Sequence, residues 1–368
     1  MPVSVRPQNL RPLTSLRFFA ALWVVVYHYW PNFQATKPIL VDKGVLGVDL
    51  FFVLSGFILS HVYLEKVRDG RFDYGAFLWT RLARIYPLHI AIIAGLATLL
   101  LSLAFVGIHA GNQVLIWPSL PAQLTLTQAW GLATRGGWNY PSWSISAEWF
   151  AYLAFPGFAF AACRLWHRPR LAVGLAAGLV VLAYSLFPVV AGFPLTHAST
   201  LWGALRVVPS FALGCALWLV WRADLIQSRG AALALASLSL AALLASVALS
   251  LPDAVSILAC AGLVLGLGAA ARRGSRVLSH PILVHLGEIS FALYMISIPW
   301  QLVVTTGLQK MHWIDPAHMP LGVWLLMVAG TVPMGALCHH LVERPARAAM
   351  RRVQFGKPAP KLRLETAE

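Results

Sequence analysis

The sequence predicts an all-α integral membrane protein, a polytopic bundle of about ten transmembrane helices with both termini in the cytoplasm. Of its 368 residues, 59% are hydrophobic and only 11% are charged, whereas about a quarter of a soluble domain is charged. The mean hydropathy is +0.71. Apolar runs of about 18 to 25 residues, long enough to cross a bilayer, recur along the whole chain.

The ten predicted spans follow one another in a single membrane domain. They lie at residues 16–34, 44–64, 85–107, 143–163, 171–192, 204–221, 230–250, 254–271, 282–306 and 320–342. The first run does not resemble a cleaved signal peptide, because the bulky segment YHYWPNF follows it in place of small residues. We expect the membrane domain to cover residues 1–343 and a basic, irregular cytoplasmic tail to cover residues 344–368.

The basic charge is distributed asymmetrically between the loops. The chain has 28 Lys and Arg, 13 Asp and Glu, and a net charge of +15. With the N-terminus inside, only five basic residues fall on the outer side: Lys37, Lys43, Arg135, Arg206 and Lys310. This bias follows the positive-inside rule and predicts cytoplasmic termini. The basic surface then faces membrane lipid or an anionic ligand, and we expect no nucleic-acid partner.

Several common kinds of site are not indicated by the sequence. The four cysteines lie in or beside apolar segments without the close spacing of a disulfide framework or zinc site, so no metal is expected. Neither G-x-x-x-x-G-K nor G-x-G-x-x-G occurs, so nucleoside triphosphate hydrolysis is unsupported. The G-x-S-x-G nucleophile motif of α/β-hydrolases is also missing.

A few ionisable residues lie inside the apolar runs. Charged groups at membrane depth are energetically costly, so each is a candidate for function. Only Asp49 and Glu148 among the acids, and most clearly His28 among the histidines, are embedded in this way. Counted from the predicted helix ends at about 1.5 Å per residue, all three reach a similar depth in the outer half of the membrane. Ser144, Glu148 and Tyr152 share a helix face. Such a cluster is either a reactive site or a hydrogen-bonded contact between helices.

Three arginines are candidates for binding an anion at the cytoplasmic side. Arg17 and His28 are eleven residues apart, so they project from one helix face about 16 Å apart along the axis. A pantetheine arm spans a similar distance between its pyrophosphate and its thioester. Arg81 and Arg84 begin the third span at a spacing that lets two guanidinium groups hold phosphate. All three are equally explained as interfacial anchors.

Four segments resemble the membrane acyltransferase 3 family, whose members O-acylate bacterial surface glycans. In the family's order they are LTSLRFFAALWVVVYH with an R-x10-H pattern, GVDLFFVLSGFILS, FLWTRLARIYPLH with an R-x-x-R pattern, and PSWSISAEWFAYLAFP. Weaker similarities in LGEISFALYMISIPW and LVERPAR extend the resemblance over residues 13 to 347. The chain departs from the family at Ser297, where relatives often carry histidine. It is expected to be the stand-alone type, without an appended hydrolase-like domain.

The resemblance implies transfer of an acyl group, most often acetyl from acetyl-CoA, to a sugar hydroxyl at the bacterial inner membrane. Arg17, Arg81 and Arg84 would hold the phosphates of the acyl-CoA. His28 would act as general base, with Asp49 or Glu148 fixing its tautomer. The oxyanion would be stabilised by an indole or backbone N–H group or by a serine, and the serine candidates are Ser144 and Ser297.

Several alternatives remain open at this stage. Transfer is either direct or proceeds through an acyl group held on the protein, with His28 as one candidate. The acceptor is a lipid-linked exopolysaccharide unit, a lipopolysaccharide side chain, a nodulation-type oligosaccharide or a macrolide. Aromatic residues in the predicted outer loop 108–141 either stack on this acceptor or form an interfacial belt. The alternative functions are a transporter or flippase of glycan units that uses the buried Asp, Glu and His as a proton relay, and a structural or sensory membrane protein.

Overall fold

The structure is a computed structural model that describes residues 10–107, 114–132, 136–312 and 314–353. Eleven helices of ten or more residues dominate this part of the chain. They are α1 (Arg11–Tyr29), α2 (Ile39–Arg68), α3 (Tyr74–Phe105), α4 (Trp143–Leu153), α5 (Phe155–Arg164), α6 (Pro169–Ala191), α7 (Gly203–Arg222), α8 (Arg229–Ala248), α9 (Asp253–Arg272), α10 (Pro281–Met311) and α11 (Leu321–Arg352). In the described ranges the only β-type pairing is one isolated bridge between Ser199 and Trp202.

The predicted all-helical membrane architecture is confirmed. Eight of these helices are long and apolar enough to cross a membrane, and α4 with α5 forms a ninth span if this pair, bent by 54°, is counted as one. Each of the ten predicted runs coincides with a helix or with that bent pair. Nine of them correspond to the eight long apolar helices and the bent pair. The tenth, residues 16–34, corresponds to α1, which is not among the helices that are long and apolar enough to cross a membrane. The protein is therefore a multi-pass membrane protein.

The last helix extends further than the sequence indicated. A π-helical turn, His339–Glu343, joins its apolar part to a basic segment, Arg344–Arg352. The first nine residues of the expected irregular tail are therefore helical. This end of α11 packs against the start of α3, where the Trp79 indole N–H donates to the carbonyl of Met350 at 2.8 Å. The remainder of the tail, residues 354–368, lies outside the described residues.

Small residues allow the central helices to approach closely. The α2–α7 crossing brings Gly56 against the backbone of Phe211 and Gly214 against the backbone of Val53. A Cβ atom at either glycine would lie 2.1 Å from a carbonyl oxygen. Helix pairs in membranes commonly associate through such small-residue contacts, because close packing replaces the hydrophobic driving force. This crossing holds α2, which carries Asp49, rigidly against α7.

The segment between α3 and α4 folds back onto the bundle through buried hydrogen bonds. Gln128 donates to the carbonyl of Ser142 at 3.0 Å, and Asn139 donates to that of Met295 at 2.9 Å. These bonds fix the 3-10 turn Tyr140–Ser142 in front of α4. One tryptophan of this segment is buried: Trp138 is 3% exposed, and its ring lies edge-on to that of Trp117, which is 54% exposed. Because Trp138 is buried, it fits neither the prediction that it stacks on a sugar nor the prediction that it belongs to an interfacial aromatic belt.

Candidate active site

Two cavities lie along α1, and the first is lined by the predicted anion-binding arginines. This arginine cavity has about 800 Å³ of atom-free space, including the open space at its mouth. Arg17 of α1 faces it, together with Arg81 and Arg84 from the first half of α3. Its polar lining also includes Glu148 and Tyr152 of α4. Two helices distant in sequence, α1 and α3, thus bring together the three arginines that the spacing patterns singled out.

The second cavity lies at the other end of α1. This histidine cavity has about 580 Å³ of atom-free space, counted in the same way. Its lining includes His28, the neighbouring Tyr27, Tyr140 from the folded-back segment, and His197 from the turn before α7. Val48 and Tyr294 line both cavities. Arg17 and His28 therefore face two neighbouring cavities that share a wall, rather than one continuous channel.

The three arginines have few partners of their own. Among the described residues, neither Arg17 nor Arg84 has a hydrogen bond or ion pair, although the Arg17 guanidinium lies 5.9 Å from the centre of the Phe51 ring. Arg81 donates only to the hydroxyl of Tyr63, at 3.3 Å, and its buried Nε has no partner. Clustered cations repel one another, and an anion bound between them would relieve that repulsion.

Glu148 and Ser144 belong to the arginine cavity, not to the surroundings of His28. The Ser55 hydroxyl donates to Glu148 Oε1 at 2.5 Å, and the Tyr152 hydroxyl lies within hydrogen-bonding reach of the same carboxylate. Ser144 Oγ donates to the carbonyl of Pro141 at 3.0 Å. A hydroxyl has a single proton to donate, so in this conformation Ser144 has none left for an oxyanion.

His28 presents an unengaged imidazole to the histidine cavity. Its ring lies edge-on to Tyr27 and Tyr140, with centroids 5.0 and 5.7 Å away. Within the described part of the chain, neither ring nitrogen has a hydrogen-bond partner. In the adjoining loop, the Lys37 ammonium lies 3.6 Å from the centre of the Tyr27 ring, and partial burial lowers the pKa of that ammonium. The imidazole is thus free to bond an incoming hydroxyl.

Asp49 is engaged elsewhere, in a fully buried ion pair with Arg206 of α7. Arg206 Nε and Nη2 donate to the two carboxylate oxygens at 3.1 and 2.6 Å, and the Tyr184 hydroxyl adds a bond of 2.7 Å. The exposed fraction is 0% for Asp49 and 2% for Arg206. Asp49 lines neither cavity, whereas Arg206 lines the histidine cavity. The expectation that Asp49 sits beside the imidazole does not match this geometry, because its oxygens are bound by Arg206 and Tyr184.

Comparison with known proteins identifies the family. The acyltransferase 3 family, described as an acyltransferase domain, matches residues 13–340. The chain belongs to this family. It is 31% identical to the acyltransferase MdmB of Streptomyces mycarofaciens over 92% of both chains. It is 22% identical to a putative O-acetyltransferase of Staphylococcus aureus strain COL over 91% of this chain, which spans 57% of that protein. No solved structure matches it significantly.

Membership of this family makes the chain an O-acyltransferase, so the transporter and the structural or sensory protein are not retained as alternatives. The family position at which Ser297 replaces histidine lies in α10, away from both cavities. Ser297 Oγ donates to the carbonyl of Tyr294 one helical turn earlier, at 2.8 Å. Ser297 is 1% exposed. Its hydroxyl is therefore engaged within its own helix.

Sequence reasoning missed Arg206, which it assigned to the outer basic residues. Arg206 instead lies in the first turns of α7 and is completely buried. Its position at the edge of an apolar run is typical of an interfacial arginine, and only the α2–α7 packing reveals its carboxylate partner. The sequence did contain one indication of this ion pair. A buried Asp49 requires a cation or a proton donor in the same half of the membrane.

Proposed function

We propose that this O-acyltransferase transfers an acetyl group from cytoplasmic acetyl-CoA to a hydroxyl of a sugar in an exopolysaccharide or lipopolysaccharide unit at the bacterial inner membrane. The observation that carries the proposal is the unengaged His28 imidazole. It faces a cavity that shares Val48 and Tyr294 with the cavity of the three arginines. A base and an anion-binding site are thus adjacent along one helix.

The arginine cavity is the proposed site of the donor. Coenzyme A carries a pyrophosphate and a 3′-phosphate, and guanidinium groups bind such oxygens in bidentate pairs. Arg17, Arg81 and Arg84 would hold these groups at the cytoplasmic side, where the positive-inside bias places the start of α1. The apolar lining from α2, which includes Phe51 and Phe52, suits the uncharged pantetheine chain.

The thioester has to pass the wall between the cavities to reach His28. Arg17 and His28 lie about 16 Å apart along α1, close to the length of the pantetheine arm. The wall contains Tyr294, whose hydroxyl donates to the carbonyl of Pro141 at 3.1 Å. Displacement of this side chain would join the two cavities.

Neutral His28 is the proposed general base. Its free ring nitrogen would take the proton of the sugar hydroxyl while the oxygen attacks the thioester carbonyl. The tetrahedral intermediate would collapse with cleavage of the C–S bond, and the imidazolium would return its proton to the leaving thiolate. Aromatic rings, rather than a carboxylate, orient the imidazole in the present geometry.

Arg206 is the proposed electrostatic partner of the oxyanion. A guanidinium has five N–H groups, and four bonds of Arg206 go to Asp49 and to the carbonyls of Ala198 and Val45. One N–H on Nη1 remains for a ligand in the histidine cavity. Asp49 would then act as a positioning residue that fixes this cation, and preorganised charge of this kind stabilises an oxyanion well.

The histidine cavity is the proposed site of the acceptor. Hydroxyl-bearing and aromatic side chains line it, among them Tyr27, Tyr140, Thr196 and Ser199. Hydroxyl groups exchange hydrogen bonds with sugar hydroxyls as both donors and acceptors, and aromatic rings cover the apolar sugar faces. The positive-inside bias predicts that this cavity lies at the outer side of the membrane, the side proposed for the lipid-linked glycan.

The test is acetyl transfer by the purified protein. Wild-type protein should release free CoA from acetyl-CoA only when a glycan acceptor is present, and His28→Ala should lower that rate about a hundredfold or more, as loss of a general base does. The exposed His318 offers a matched control, and His318→Ala should retain the wild-type rate. Normal acetylation by His28→Ala would refute the proposed mechanism. Labelled acetyl-CoA without acceptor would show whether the acetyl group first rests on the protein.

A further inference from the structure

The arginines of the arginine cavity continue into the basic end of α11. Arg347 lies near Arg81 and Arg84 of α3 and near Arg351 of its own helix, close enough for their charges to interact. The Trp79–Met350 hydrogen bond fixes this end of α11 along α3. Arg347 does not line the cavity itself. It therefore adds a further guanidinium group beside Arg81 and Arg84, outside the set of residues that line the cavity.

The Arg347 side chain is incompletely satisfied. Its Nε is buried and has no hydrogen-bond partner among the described residues, as is also true of Arg81 Nε. Glu343, the acid whose charge acts on Arg347, is engaged by His339 Nδ1 at 2.8 Å. A buried N–H group without an acceptor costs free energy. Two such groups on neighbouring helices can both be satisfied by one ligand with several acceptor oxygens.

We propose that Arg347 is a ligand-binding residue that, with Arg81, holds the terminal 3′-phosphate of the acyl-CoA donor. This inference rests on the proposed function and assigns a role to a residue that does not line the cavity and that the sequence analysis named only as the last position of the LVERPAR segment. In coenzyme A the pyrophosphate lies nearer to the pantetheine chain, and the ribose 3′-phosphate lies further from the thioester. The pyrophosphate would meet Arg17 and Arg84 inside the cavity, and the 3′-phosphate would meet Arg347 at its mouth.

The charge of the ligand agrees with this assignment. A phosphomonoester carries close to two negative charges at neutral pH and offers three acceptor oxygens. A phosphodiester carries one charge and fewer free oxygens, and it forms the headgroup linkage of most membrane phospholipids. Two neighbouring guanidinium groups, each with an Nε–H that lacks an acceptor, match the monoester better. A lipid phosphate is the competing source of the same chemistry, so the experiment has to distinguish the two.

The test compares coenzyme A with dephospho-coenzyme A, which lacks only the 3′-phosphate. The full-length protein is placed in nanodiscs of phosphatidylcholine, and binding is measured by titration calorimetry. Arg347→Gln should weaken coenzyme A binding about tenfold or more, the usual effect of losing a hydrogen bond to a charged group, and should leave dephospho-coenzyme A binding unchanged. Arg352→Gln, at an exposed position one turn further on, should change neither affinity.

The other outcomes are equally informative. If Arg347→Gln lost affinity equally for both ligands, or lost affinity for neither, the assignment of Arg347 would be overturned while the proposed function stayed in place. Wild-type protein that binds neither ligand would overturn the proposed function as well. A loss that appears only in nanodiscs containing phosphatidylglycerol would assign Arg347 to a lipid headgroup and reject the inference. The melting temperature of each variant shows whether it is folded.

Discussion

Individual polar residues in the bundle differ in how far their hydrogen-bonding groups are already engaged. Asp49 is bonded by Arg206 and Tyr184, and Arg206 is bonded to Asp49 and to the carbonyls of Ala198 and Val45, with one N–H left over. His28 and Arg17 have no hydrogen-bonding side-chain partner in the described part of the chain. Because unengaged polar groups in a membrane are costly, their persistence beside cavities indicates ligands rather than structure.

Breaking the Asp49–Arg206 pair should destabilise the fold. Asp49→Leu or Arg206→Met alone leaves an unpaired buried charge and should lower the free energy of unfolding by about 3 to 5 kcal/mol, measured by denaturation in detergent. The double variant Asp49→Leu/Arg206→Met removes both charges and should recover most of that stability. It should remain inactive if Arg206 stabilises the oxyanion. A double variant with wild-type acetyl transfer would show that the pair is only structural.

For individual residues, the sequence predicted the identity of the buried polar residues well, but it did not predict their contacts. The depth argument selected His28, Asp49 and Glu148, and the structure distributes them over three separate environments. Axial depth follows from counting residues along a helix, but the direction of a side chain depends on which helices are neighbours. The pairing of α2 with α7 is a tertiary fact, so the partner of Asp49 was not readable from the pattern.

Among the elements, α1 and α2 position both cavities, and glycines determine how close α2 comes to its neighbours. The α2–α7 crossing depends on Gly56 and Gly214, each facing the backbone of the opposite helix. In α6, by contrast, a Cβ atom at Gly178 would have no neighbouring atom within 4 Å, so this face of the helix is open. Replacing a glycine by alanine is therefore expected to destabilise the protein in α7 and to be tolerated in α6.

Replacing the crossing glycine should weaken the bundle. In Gly214→Ala the new methyl group would meet the Val53 carbonyl oxygen, so the helices must separate, at a cost of about 1 to 3 kcal/mol. In Gly178→Ala nothing is displaced, and the better helix propensity of alanine adds up to about 1 kcal/mol. Thermal unfolding in detergent should thus show a lower melting temperature for the first and an equal or higher one for the second. Equal melting temperatures would mean that the crossing tolerates a wider separation.

For the whole molecule, hydropathy predicted nearly all of the helical architecture. A bilayer requires its spans to be apolar and helical, so the ten runs could be located without any knowledge of their packing. The bend between α4 and α5 and the helical end of α11 were not predicted, because they depend on contacts with other helices. The division into two cavities with a shared wall was also not predictable from the sequence. No sequence motif distinguishes Tyr294 and Val48, which form the wall, from other lining residues.

The orientation of the bundle follows from charge and can be tested directly. The positive-inside bias predicts that Arg71, between α2 and α3, lies in the cytoplasm and that Lys310, at the end of α10, lies outside. Both are exposed. With the partly exposed Cys163 and Cys338 replaced by alanine, an Arg71→Cys protein should react with a membrane-impermeant maleimide only in inverted vesicles, and a Lys310→Cys protein only in right-side-out vesicles. Permeabilised vesicles should label both, which controls for reactivity. The reversed pattern would place the arginine cavity outside, away from cytoplasmic acetyl-CoA, and the proposed route of the donor would then be wrong.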